Sequence, residues 1–92
     1  MSIYIMLKNI KQKEESRRSL REIAAEIRKD WGHKIYFGAK PYLSAMSQLD
    51  SINDKYICDS GDMIVRYFLA NASQWRGEVA RRIKKELNSM LK

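Results

Sequence analysis

The chain has one cysteine, one histidine, one proline and four glycines among its 92 residues. A lone Cys58 cannot close an internal disulfide, so the fold must stand on packing alone, as suits a reducing compartment. With Asp59 beside it, thiolate formation is opposed, and Cys58 reads as a small, half-buried residue. His33 has no second histidine and no nearby cysteine with which to hold a transition metal, and it is expected to sit exposed in a connector. Asp50, Asn53 and Asp54 lie at the wrong spacing for a calcium loop. The dinucleotide-binding glycine pattern, the phosphate-binding loop and the serine nucleophile elbow are all missing. No catalytic, cofactor-binding or metal-ligating residue is expected, which leaves function to the surface of a non-enzymatic protein.

Long apolar runs are also lacking. None approaches the ~18 residues required to cross a bilayer. The opening residues MSIYIML have no basic segment before them and no small-residue cleavage site, and Lys8, Lys11 and Lys13 follow them instead. The expectation is a cytoplasmic protein with no membrane partner. Residues 1–9 read as an N-terminal tail, with a short strand against residues 35–37 as one alternative, and residues 10–92 as a single domain without internal repeat or linker. Hydrophobic residues make up 45% of the chain, enough for a core and too many for disorder.

The pattern predicts a compact all-α bundle of about four helices. The organising stretch is DSGDMIVRYFLANASQW, residues 59–75, where only Arg66 and Asn71 interrupt the apolar run from Met63 to Ala72. A helix that is apolar nearly all round belongs at the centre, buried by the other three. Asp59 and Ser60 suit its start, and Asp62 places a negative charge in its first turn. A first helix is predicted from Ile10 to Trp31, with Leu20, Ile23, Ala24, Ile27 and Trp31 facing inward and Gly32 as its stop. HKIYF, residues 33–37, reads as an extended connector. A second helix spans about Lys40 to Leu49, with Pro41 in its first turn. From Asp50 to Gly61 a polar loop follows, with Ile52, Tyr56 and Ile57 tucked onto the core. Ser73 is the expected N-cap of a last helix, Gln74 to Met90, whose Trp75, Val79, Ile83, Leu87 and Met90 share one face.

The net charge of +7 is unevenly spread. Residues 1–37 carry nine Lys/Arg against five Asp/Glu, residues 38–72 three against four, and residues 73–92 six against two. Two basic faces result: Arg17, Arg18, Arg21 and Arg28 on the first helix, and Arg81, Arg82, Lys84, Lys85 and Lys92 on the last. Clustered Lys/Arg can meet a phosphate backbone or an acidic protein surface. On the first helix, Glu14 with Arg18 and Arg18 with Glu22 are spaced to pair along the helix. Arg76 falls on the apolar side of the last helix, in the first turn, where the dipole disfavours a cation. A structural ion pair with Asp50, Asp54 or Asp59 is the expected remedy.

The stretches YFGAKPYLSAMSQLDSINDKY and DSGDMIVRYFLANASQWRGEVARRIKKEL resemble small helical proteins encoded by bacteriophages, prophages and other mobile elements of bacteria, over about residues 20–90. The resemblance assigns no functional residues. It implies an accessory protein in the cytoplasm of a bacterial host, binding a host protein or nucleoprotein machine through its basic faces, for instance as an inhibitor of host defence such as a CRISPR nuclease. The alternative is a small, sequence-tolerant DNA- or RNA-binding protein.

Overall fold

The computed structural model describes residues 18–91. Among the described residues four α-helices dominate: α1 (Leu20–Trp31), α2 (Lys40–Met46), α3 (Gly61–Ala70) and α4 (Glu78–Met90). A two-stranded antiparallel hairpin, β1 (Lys55–Tyr56) with β2 (Asp59–Ser60), adds a small sheet to an otherwise helical chain. The expected tail, residues 1–9, and the front of the expected first helix lie outside the described residues.

α1 starts at Leu20 because Ser19 caps it. The Ser19 Oγ accepts from the Glu22 N–H at 3.1 Å, and the Glu22 carboxylate accepts in return from the Ser19 N–H, a reciprocal capping box. Ser19 itself is extended, so a continuous helix from Ile10 is ruled out at this residue. Leu20, Ile23, Ala24, Ile27 and Trp31 are buried, as their spacing predicts, and Gly32 ends the helix with φ +62°. Residues 32–39 form two 3-10 turns around an extended Ile35–Tyr36, in place of a wholly extended connector. α2 carries Pro41 in its first turn and ends at Met46, three residues before the buried Leu49.

The loop after α2 folds back on itself. Asp54 accepts from the Asp50 and Ser51 N–H groups at 3.0 Å, and the Asp50 and Leu49 carbonyls accept from the first two N–H groups of α1. Gly61 begins α3 hard against this loop, where a Cβ would meet the Ile52 backbone at 2.8 Å. Asp59 belongs to β2 and Ser60 is the N-cap of α3. Ile52 and Tyr56 pack on the core, but Ile57 stands 83% exposed at the hairpin tip beside an exposed Cys58. Ile57 was expected on the core and Cys58 half-buried.

α3 contributes Ile64, Val65 and Phe68 to the core, yet it is not enclosed on all sides. Met63, Arg66, Tyr67 and Ala70, at helical spacing, form an exposed face. The expected burial of this helix by the other three therefore holds for one side only. After it, Ala72 and Trp75 are buried in an irregular connector, and α4 begins at Glu78 behind Gly77, whose φ of +115° no other residue type adopts cheaply. Ser73 caps nothing, because Trp75 leaves the helical path to fill the core. Its ring stacks on Trp31 with centroids 5.6 Å apart, and Phe68 meets both edge-on. Ala80, Ile83 and Leu87 then bury one side of α4.

Candidate binding surface

α1 and α4 lie side by side in opposite directions, so the start of one meets the end of the other. Arg18, just before the cap of α1, reaches across this seam. Its Nε and Nη2 donate to the two Glu86 oxygens at 3.1 and 2.7 Å, and its Nη1 donates to Glu26. The other Glu26 oxygen accepts from Arg82. The result is a chain, Glu86–Arg18–Glu26–Arg82, with no net charge. Charge-assisted, forked bonds of this kind are the stronger ones. The bond to Glu86 raises the Arg18 pKa above its ordinary value, with burial opposing it and the bond to Glu26 adding to it. Glu26 is held below the usual carboxylate range by its bond to Arg18 first and Arg82 second.

Two of the expected basic residues are thus spent on holding helices together. The two basic faces do meet, at Arg18 and Arg82, but where they meet the charge is neutralised. Of the partners that spacing suggests for Arg18, Glu14 lies outside the described residues and Glu22 is occupied in the cap. Arg21 is exposed, its Nε a loose 3.5 Å from Asp50. Arg28, Arg81 and Lys85 are exposed with no carboxylate within 4.0 Å among the described residues. Lys85 joins Arg18, Arg82, Glu86 and Ser89 around a shallow groove of about 480 Å³. Arg17 and Lys92 lie outside the described residues.

Lys84 is turned inward. Its Nζ donates to the Trp75 carbonyl at 2.7 Å and lies 5.9 Å from the Trp75 ring centroid. Burial, and then the charge of Arg76, push its pKa down. Arg76 itself is exposed in the connector, two residues before α4, and so escapes the first-turn dipole it was expected to oppose. No carboxylate lies within 4.0 Å of it among the described residues. Of its expected partners, Asp50 faces Arg21 and Asp54 accepts from the loop backbone.

A second surface escaped the sequence reading. On the outer face of α3, Met63 is 38% and Tyr67 42% exposed, and the Tyr67 ring packs against Tyr42 of α2 at 5.5 Å. Phe37, 74% exposed, packs its ring at a tilt against Tyr36, which sits beside Gly38 opposite Asn71 at the end of α3. Arg66 was the available signal: a single cation in an apolar helix marks the side that faces water. No protein-family model matches the chain, and the curated proteins and solved structures give no significant match either.

Proposed function

We propose that the chain is a non-enzymatic binding module of phage or mobile-element origin that occupies a surface of a bacterial host protein or nucleoprotein machine, as an inhibitor of host defence would. Its helices are read as one bundle whose outer faces make the contacts. The observation that carries this reading is the outer face of α3 with its neighbours. Met63, Arg66, Tyr67 and Phe37 are the side-chain types enriched at protein interfaces, and Met63, Tyr67 and Phe37 stand in water where, Ile57 apart, the described residues bury their large apolar groups at least in part. The mechanism is steric and electrostatic, with Arg66 and the exposed basic residues of α1 and α4 setting orientation against an acidic partner.

Capture from host lysate, followed by gel filtration with the captured protein in pure form, tests this. Met63→Asp with Tyr67→Asp should weaken the complex by about 100-fold, as loss of central anchors does. A complex indifferent to these changes would sink the α3 reading. The second reading, a DNA- or RNA-binding protein, is favoured by Arg28, Arg81 and Lys85, exposed and unpaired among the described residues. Salt-dependent binding to free nucleic acid, with no protein complex, would replace the first reading with the second.

A further inference from the structure

On the side of the molecule formed by the end of α1 and the connector before α4, a cleft of about 470 Å³ is lined by Asp30, Trp31, Lys34, Gln74, Trp75 and Arg76. Its base is rigid. Trp75 is buried to 2% exposure, stacked on Trp31, and fixed by its Nε1–H, which donates to the Asp30 carboxylate at 2.9 Å. That bond occupies the one acidic group in the lining. Lys34 and Arg76 come from separate segments and are both exposed. Neither has a carboxylate within 4.0 Å among the described residues. Lys84 approaches the same indole from behind and is close enough to Arg76 for that charge to depress its pKa. Three cations thus converge on one tryptophan, against a single carboxylate already engaged. Like charges gathered this way weaken the fold, and an anion between them would reverse the sign of the interaction.

We propose that this cleft binds a dianionic phosphate group, inorganic or carried as a monoester. Arg76 supplies a forked pair of donors, Lys34 a second charge and Gln74 a neutral donor. Two full cations match a dianion better than the single charge of a phosphodiester, and Arg is the side chain whose geometry suits two phosphate oxygens at once. The Trp75 N–H fixes one Asp30 oxygen, and the two cations outweigh the single charge that Asp30 keeps. The site shares no residue with the outer face of α3, so it stands whether or not that face binds a protein.

The chain's two tryptophans, Trp31 and Trp75, both line the cleft, which supplies an internal reporter. Sodium pyrophosphate and sodium phosphate, titrated at constant ionic strength against sodium chloride, should give a saturable fluorescence change and a calorimetric isotherm. Arg76→Gln and Lys34→Gln should each weaken binding by about 10-fold, the loss of one charge-assisted contact. Both residues are exposed, so the unliganded spectrum should not move, and the thermal midpoint should hold or rise slightly as the like-charge repulsion is relieved. No saturation beyond the chloride control by either method would overturn the site, as would equal binding by both variants. A third arm uses a mixed-sequence oligonucleotide. Binding of the oligonucleotide that is lost in Arg76→Gln, with no pyrophosphate binding, would also overturn the dianion assignment and hand the cleft to a nucleic-acid backbone.

Discussion

Ile57 carries two costs that nothing else in the fold offsets. Its φ of +59° puts a β-branched side chain in the left-handed region, and the side chain is 83% exposed. Strain of this kind amounts to about 1–2 kcal/mol. Lys55 pairs with Ser60 and Tyr56 with Asp59, so Ile57 and Cys58 are the two turn residues, where glycine or asparagine belongs. Ile57→Asn should therefore stabilise the protein by about 1 kcal/mol, read as a raised urea midpoint. An unchanged or lower midpoint would mean the strain is relieved elsewhere. The sequence hid this hairpin because Ile-Cys is not a turn signature, and an isoleucine beside Tyr56 looks like core. Glu26 gives a second residue-scale test. Its folded pKa is depressed, so its stabilising effect is complete above the unfolded value of ~4.3 and disappears as pH falls through the folded value. Glu26→Gln should cost about 1 kcal/mol at pH 7, after screening of two partly exposed pairs. The gap between wild type and variant should stay constant down to about pH 5 and close below about pH 4. A gap independent of pH would show that the carboxylate charge is not what holds α1 to α4.

At the scale of elements, helix interiors were legible and helix starts were not. The inward stripe of α1, Pro41 in α2 and the buried side of α4 follow from spacing alone. The start of α1 was readable too, as a serine with glutamate three residues on. The lack of glycine and proline between Ile10 and Ser19 argued for continuity instead, and a cap needs neither. The start of α4 was not readable, since Ser73 is a better cap than Gly77 by residue type. Only the burial of Trp75 against Trp31 pulls the connector away from a helical path. For the same reason Arg76 was placed on a helix it does not belong to, and the cleft beside it had no local signature. Ser19→Ala separates the two readings of α1 by sign. As a cap, Ser19 should lose about 1 kcal/mol on truncation. In the interior of a longer helix the same change would stabilise by a few tenths, because alanine is the better helix former. Denaturant midpoints decide between them, and a stabilised variant would remove the cap from the account.

For the whole molecule, net charge overstates what is free to bind. Eighteen basic residues against eleven acidic suggest a nucleic-acid binder, and the sequence assigns Arg18 and Arg82 to that role. The partner of Arg18, Glu86, lies 68 residues away and that of Arg82, Glu26, lies 56 away, distances no helical spacing rule can reach. With both arginines consumed and Lys84 turned onto Trp75, α4 offers Arg81 and Lys85, and α1 offers Arg28. Two or three phosphate contacts give a log-log salt slope of about −1.8 to −2.7 for duplex DNA, so affinity should fall only about 10- to 40-fold between 50 and 200 mM salt. Arg81→Glu with Lys85→Glu should abolish that residual binding and shift stability by no more than about 0.5 kcal/mol, because both side chains are exposed and unpaired among the described residues. Arg82→Glu is a different experiment. It sets a second carboxylate beside Glu26, and should destabilise the fold by about 1–2 kcal/mol through the seam, not through any ligand. Anisotropy titrations and thermal scans on both variants separate the two effects. A slope steeper than about −5 would call on exposed cations outside these two faces, such as Lys34, Arg66 and Arg76, or on release of Arg18 and Arg82 from their glutamates on binding. Wild-type stability measured in the presence of DNA distinguishes these, since release would loosen α1 from α4 as the nucleic acid docks.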